Sequence, residues 1–183
     1  MSHFQDKIII LTITGALTLF FACPSYSIDK ALLKAAGIQE LKQDAPDFTI
    51  KDDDGKAISL KDFRGKLVIL HFWATWCKPC KKEFPLFEKL YQGFKEKDVV
   101  FPFISIDTNA NKDEVDVFAR GLGVTFPVFL AKDGKVPNKY WTLGVPVTYF
   151  IDRKGLIIGM ALGERDWASE NIKNIINMMI EEK

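Results

Sequence analysis

Cysteine, histidine and net charge are all scarce in this chain. Three cysteines and two histidines are spread over 183 residues, and 25 basic against 24 acidic residues leave a formal charge of +1. Each scarcity excludes something. A zinc site built on Cys77 and Cys80 needs two more ligands, and only Cys23, His71 and His3 remain besides scattered carboxylates. With no basic cluster beyond Lys78, Lys81 and Lys82, nothing argues for nucleic acid. Asp52 to Asp54 lacks the ligand spacing of a calcium loop and reads as a solvated turn. No internal repeat and no second domain are visible. The length fits one ordinary domain plus a tail, and a hydrophobic content of 48% supports a sizeable core.

The residues able to do chemistry are concentrated in Phe72-Trp73-Ala74-Thr75-Trp76-Cys77-Lys78-Pro79-Cys80-Lys81-Lys82-Glu83. Before it, Leu67 to Trp73 is an apolar run broken only by His71, which suits a strand buried on both faces. After it, Phe84, Phe87, Leu90, Tyr91 and Phe94 recur at helical spacing, so a helix opens near Lys78 with one face buried. Cys77 thus falls just before a helix, where free backbone N–H groups and the positive dipole end stabilise a thiolate, and Lys78, Lys81 and Lys82 add positive charge. A free thiol titrates near 8.5, and such surroundings lower it to roughly 3.5–7.5. Cys77 is therefore the expected attacking thiolate, and Cys80, one turn further in and more buried, the protonated resolving partner. Pro79 fits the first helical turn, which has no internal use for its missing N–H. A purely structural disulfide over so short a loop removes little unfolded-state entropy, so a redox dithiol is the stronger reading.

The string Phe-Trp-Ala-Thr-Trp-Cys-Lys-Pro-Cys resembles the active site of the thioredoxin superfamily. Its continuation Lys81-Lys82-Glu83-Phe84-Pro85, with Ala45-Pro46-Asp47-Phe48 and Leu60-Lys61-Asp62-Phe63-Arg64-Gly65-Lys66, resembles the TlpA/ResA/CcmG branch of exported thiol-disulfide oxidoreductases. The resemblance implies an α/β thioredoxin-like fold: a central mixed sheet flanked by helices, with an N-terminal β-hairpin and a strand-helix insertion. It also implies a cis peptide at Val145-Pro146 opposite the cysteines, with Val145 presenting backbone to substrate. Trp76, Lys78 and Pro79 join Val145 as candidate substrate contacts, although Trp73 and Trp76 are also read as packing around the site. Glu83 has two readings. It is either a solvated residue beside two lysines or, as the branch implies, a group that helps move the Cys80 proton. His71 departs from the superfamily, which usually has Asp or Asn there; a buried, hydrogen-bonded histidine and one that tunes Cys80 both remain open.

Residues 1–27 read as a segment outside the fold. Lys7 precedes the apolar run Ile8 to Ala22, and Ser25-Tyr26-Ser27 suits signal cleavage after Ser27. Lipid attachment at Cys23 and retention as a membrane tether are the rivals, but a helix over that run rises only about 22 Å against the roughly 30 Å of a bilayer core. Residues 28–44 read as a linker or short helix, and residues 45–183 as the thioredoxin-like domain.

Within that domain, Asp54-Gly55 marks a hairpin between Phe48–Ile50 and Ala57–Ser59, followed by a helical turn over Leu60–Phe63. Val99–Ile106 reads as a second central strand, and Asn111 with Glu114 as a capping arrangement for the next helix. A strand over Phe126–Leu130 and a short helix over Pro137–Leu143 follow. Val147–Ile151 and Leu156–Ala161 form a hairpin, and Ile172, Ile175, Ile176, Met179 and Ile180 stripe the last helix.

The expected activity is disulfide exchange with protein substrates through Cys77 and Cys80, outside the cytoplasm and without a metal or organic cofactor. The branch implies reducing equivalents passed to protein disulfides, apocytochrome c among them, and re-reduction by a membrane thiol carrier. Two alternatives stand. A thiol peroxidase of the peroxiredoxin type shares the fold, but its Pro-x-x-x-Thr stretch is absent; a redox-silent binding module or metal chaperone is the other.

Overall fold

The computed structural model describes residues 30–181. The expected signal or anchor segment, Cys23 and His3 lie outside them. Helix α1 (Lys30–Ala35) leads into strand β1 (Gln39–Asp44), and the hairpin β2 (Thr49–Lys51) and β3 (Ala57–Ser59) precedes a 3-10 turn at Leu60–Phe63. Then come β4 (Leu67–Trp73), α2 (Lys78–Phe94), β5 (Val99–Val100), β6 (Phe103–Ser105), α3 (Lys112–Gly121) and β7 (Val128–Leu130). Two short 3-10 turns, β8 (Val147–Ile151), β9 (Leu156–Leu162) and α4 (Glu170–Glu181) complete the described chain.

The main sheet runs β1-β9-β8-β4-β6-β7, with β5 also paired to β4. It is mixed: β4, β6 and β7 are parallel, whereas β8 and β9 run antiparallel to their neighbours. Every residue of β4 is buried, as its unbroken apolar run requires at the centre of a sheet covered on both faces. Leu67, Ile69 and Trp73 join one core with Phe84, Phe87, Leu90, Val115, Ile172 and Ile175 from the helices. Val68, Leu70 and Phe72 point the other way, into a second core closed by Phe48 and Ile50 of the hairpin region and by Tyr140. The thioredoxin-like α/β architecture is the one expected.

Two local expectations need correcting. Gln39–Asp44, taken with the linker or short helix of residues 28–44, is an edge strand paired antiparallel with β9, although α1 does form just before it. The segment Val99–Ile106 is two strands, because Pro102 has no N–H to donate to a ladder; its carbonyl accepts from His71 N–H instead. Other details agree. Asn111 Oδ1 accepts from Glu114 N–H while Glu114 Oε2 accepts from Asn111 N–H, closing the capping box of α3. Asp52 Oδ1 accepts from the N–H groups of Asp54 and Lys56, so that carboxylate builds the hairpin turn.

The hairpin is tied to the rest of the fold where Thr49 and Lys135 exchange two backbone hydrogen bonds. Gly134 lies against this bridge, and a Cβ there would collide with the Thr49 carbonyl oxygen. Gly134→Ala is therefore expected to cost about 1–3 kcal/mol, the usual range for overpacking. A urea midpoint equal to that of the parent would show that the bridge yields freely.

Candidate active site

Strand β4 ends at Trp73, and a turn closed by Cys77 N–H donating to the Ala74 carbonyl carries the chain into α2. Cys77 is the N-cap of that helix, with an extended backbone, and its Sγ accepts from the Cys80 N–H at 3.2 Å. The two cysteines form a disulfide, their Cα atoms 5.3 Å apart. Cys77 keeps 4% of its surface and Cys80 none, so an incoming group can reach only the first sulfur. A sulfur aimed at the open N–H groups of a helix is placed where negative charge is stabilised. The lysines contribute unequally. Lys78 is exposed, Lys81 Nζ lies 5.1 Å from the centre of the Phe118 ring, and Lys82 pairs with Glu164 at 3.2 Å.

Pro146 lies at the same end of the sheet. Val147 pairs with Phe72 of β4, which sets Pro146 just beyond, at the level of Trp73. The Val145-Pro146 peptide is cis, and the Pro146 carbonyl accepts from Gly163 N–H at 2.9 Å. Val145 is partly buried and packs against the core that contains both cysteines.

Glu83 is fully buried on α2, which excludes the solvated reading. Its Oε1 accepts from the Trp167 Nε1–H at 2.7 Å and from the Arg165 N–H at 2.8 Å. Lys82, its neighbour in sequence, pairs with Glu164. Burial pushes the Glu83 carboxyl up to about 7, against the lowering effect of the Trp167 and Arg165 hydrogen bonds. Its Oε2 has no hydrogen-bond partner among the described residues.

His71 is buried, with Nδ1 2.8 Å from Thr148 Oγ1 on the paired strand. The Phe87 and Phe103 rings flank it, with centroids at 4.6 and 5.2 Å. Burial lowers its pKa to about 3, so the imidazole is neutral at physiological pH.

These features have close counterparts. The AhpC/TSA family profile matches residues 41–160. Thiol-disulfide oxidoreductase ResA of Bacillus cereus is 34% identical over 170 residues, which is 92% of this chain and 93% of that protein. ResA of Bacillus subtilis is 36% identical over 82% of this chain and 83% of its own. This chain belongs to the AhpC/TSA family, as a ResA-type thiol-disulfide oxidoreductase. Among solved structures, StoA of Bacillus subtilis superposes with a TM-score of 0.59 at 29% identity, covering 71% of this chain and 96% of StoA. A thioredoxin-family thiol:disulfide interchange protein of Chlorobium tepidum gives 0.60 at 27% identity, covering 78% and 99%.

In this oxidoreductase the two tryptophans of the motif part company. Trp73 is buried, edge-on to Phe84 at 4.7 Å, as a packing residue should be. Trp76 is 65% exposed beside Cys77, so the packing reading fails for it and the partner-contact reading remains. The period of the chain cannot decide this, because Trp76 lies in the turn between strand and helix.

A second group at the site escaped the sequence reading altogether. Asp107, just past the end of β6, accepts through Oδ2 from the Thr75 N–H at 2.9 Å and through Oδ1 from the Thr75 hydroxyl at 2.8 Å. The Ser105 hydroxyl donates to Oδ2 as well, at 2.5 Å, and Ser105 Oγ accepts from Asp107 N–H. Thr75 stands two residues before Cys77, and no local pattern connects it with Asp107.

Proposed function

We propose that this protein reduces protein disulfides outside the cytoplasm, with Cys77 as the attacking sulfur, and that apocytochrome c awaiting haem is among its clients. The observation that carries this reading is Cys77 at the N-cap of α2: an accessible sulfur facing the Cys80 N–H beside an exposed tryptophan, with Cys80 sealed behind it. The Cys77 thiolate attacks a client disulfide, forming a mixed disulfide and releasing one client thiolate, which takes up a proton. Cys80 then loses its proton and attacks Cys77 Sγ, closing the Cys77–Cys80 bond and freeing the second client thiol. Two electrons and two protons pass to the client. A membrane thiol carrier returns them to the protein.

Glu83 accepts the Cys80 proton in the second step, a role suited to a buried carboxyl brought to about 7. Pro146 and Val145, at the same end of the sheet as the dithiol, offer main chain to the client, while Trp76, Lys78 and Pro79 form the rim it meets. The sequence of residues 1–27 supports export, with cleavage or retention of that segment deciding between a free and a tethered protein. Among the described residues no helix is long and apolar enough to cross a membrane.

The deciding experiment sets the reduced protein against an oxidised Cys-x-x-Cys-His peptide, the haem-attachment motif, and against insulin. Faster reduction of the peptide is expected. Equal rates would remove the cytochrome assignment, and failure on both would remove the reductase. Trp76→Ala should lower kcat/KM for a protein disulfide about tenfold, a typical loss for an aromatic anchor. It should leave reduction of dithiobis(nitrobenzoate) near the parent rate. Equal losses on both substrates would mean that Trp76 acts on the sulfur and not on the client.

A further inference from the structure

We propose that Asp107 is a positioning residue for disulfide exchange: by clamping Thr75 it fixes the turn that holds the Cys77 sulfur against the opening N–H groups of α2. The proposal rests on Cys77 being the attacking sulfur. The stretch Ala74 to Cys77 must reverse direction between the end of β4 and the start of α2, and its own hydrogen bond is the single turn from Cys77 N–H to the Ala74 carbonyl. Between those two residues lie Thr75, half-buried, and Trp76, exposed. Cys77 is tied forward into α2 through its Sγ and its carbonyl, which accept from the Cys80 and Lys81 N–H groups, so without a further restraint the link back to β4 would depend on that one bond.

Asp107 supplies the restraint from a different element. One carboxylate grips both the main chain and the side chain of Thr75, and Ser105 at the end of β6 holds the carboxylate in turn. Strand β6 is paired with β4 up to Ser105 opposite Trp73, so the clamp connects the ends of two adjacent parallel strands. Asp107 retains only 6% of its surface. A buried carboxylate whose hydrogen bonds all serve one turn and its neighbour is built to fix geometry. Small displacements matter here, because stabilisation of the Cys77 thiolate falls off within the first helical turn.

Charge and geometry predict opposite results. Asp107 binds Thr75, two residues before Cys77, and if the charge of its carboxylate governed the site, removing it would make Cys77 more acidic and faster to alkylate. If the clamp is what matters, removing the carboxylate frees the turn, and Cys77 becomes less acidic and slower. Asp107→Asn separates the two further. Its amide oxygen can take the Oδ2 position and keep the Thr75 N–H and Ser105 bonds, while its NH2 donates to the Thr75 hydroxyl, so the clamp survives without the charge.

The test is alkylation of the reduced full-length protein by iodoacetamide across pH, with the modified peptide identified by mass spectrometry. The sulfur gains a carboxamidomethyl group and iodide leaves. The parent is mapped first. Modification of Cys80 ahead of Cys77 would overturn the underlying assignment, and the clamp with it. In a Cys80→Ser background, Asp107→Ala is expected to raise the apparent pKa of Cys77 and slow alkylation at pH 6 about tenfold, the effect of raising that pKa by about one. Asp107→Asn should match the parent or exceed it. Faster or unchanged alkylation in Asp107→Ala, with only the melting temperature lowered, would overturn the clamp. Thr75→Val removes the hydroxyl contact, leaves the Asp107 charge in place and tests the same point if Asp107→Ala does not fold. Slower alkylation supports the clamp, and a profile superimposed on the parent's overturns it.

Discussion

Replacing Cys80 with serine is expected to turn the protein from a catalyst into a trap. Cys77 keeps its place at the N-cap of α2 in that variant, so the first attack on a client disulfide proceeds and a mixed disulfide forms. The second attack has no sulfur to make it. In the parent, Cys80 is held with its Cα 5.3 Å from that of Cys77, and such intramolecular attack carries an effective molarity of about 10⁵ M or more. External thiols at millimolar concentration cannot replace it, and multiple-turnover reduction should fall by at least about 10³-fold. Non-reducing electrophoresis should show a stoichiometric client adduct, which peptide mapping assigns to Cys77. Cys77→Ser should give neither adduct nor turnover, since Cys80 is sealed from solvent. Adducts through Cys80 at a comparable rate would reverse the assignment of the two sulfurs.

What could be read from the chain depended on how local the governing interaction is. The buried β4, the amphipathic α2 and the junction between them are written in consecutive residues, and the cysteines inherit their places from that junction. Strand β1 is different. Its sequence Gln-Glu-Leu-Lys-Gln-Asp has no apolar alternation, because it is an edge strand whose side chains are mostly exposed and whose pairing is supplied by β9. The environment of Glu83 is also non-local. Beside Lys81 and Lys82 it looks solvated, yet Trp167 and Arg165, more than eighty residues away, close over it, while Lys82 finds Glu164. The Thr75–Asp107 clamp has the same character, with partners 32 residues apart and no signal in either neighbourhood. Trp76 had two readings because a turn residue has no period to assign it a face.

Replacing Glu83 with glutamine should change both the chemistry and the pH dependence of stability, and the second effect can be worked out group by group. Burial raises the Glu83 carboxyl from 4.5 to about 7, so the folded protein holds a proton that the unfolded chain releases earlier. The stability this gives is complete below pH 4.5 and is lost as pH rises through about 7, a difference of about 3 kcal/mol. His71 acts in the opposite sense. Its pKa falls from 6.5 to about 3 on burial, so its contribution is present above pH 6.5 and lost as pH falls toward 3. Between pH 4.5 and 6.5 the folded and unfolded chains therefore hold equal numbers of protons on these two groups, and their slopes cancel. Glu83→Gln removes one slope and uncovers the other. The amide oxygen can still accept from Trp167 and Arg165, and the buried NH2 adds a cost that does not vary with pH. Relative to the parent, the variant should thus gain about 3 kcal/mol between pH 4.5 and pH 8, measured by urea unfolding of both proteins. A difference that stays constant with pH would mean that Glu83 titrates at its ordinary value. The kinetic counterpart is the resolution step. In the parent its rate should rise with pH through about 7, as the carboxylate able to take the Cys80 proton appears. In Glu83→Gln that rise should vanish and resolution should slow roughly 10²-fold, the lower range for loss of a general base. The first encounter at Cys77 should change far less, and single-turnover exchange with a chromogenic client resolves the two steps. Equal slowing of both would assign Glu83 to the structure of the helix and not to the proton.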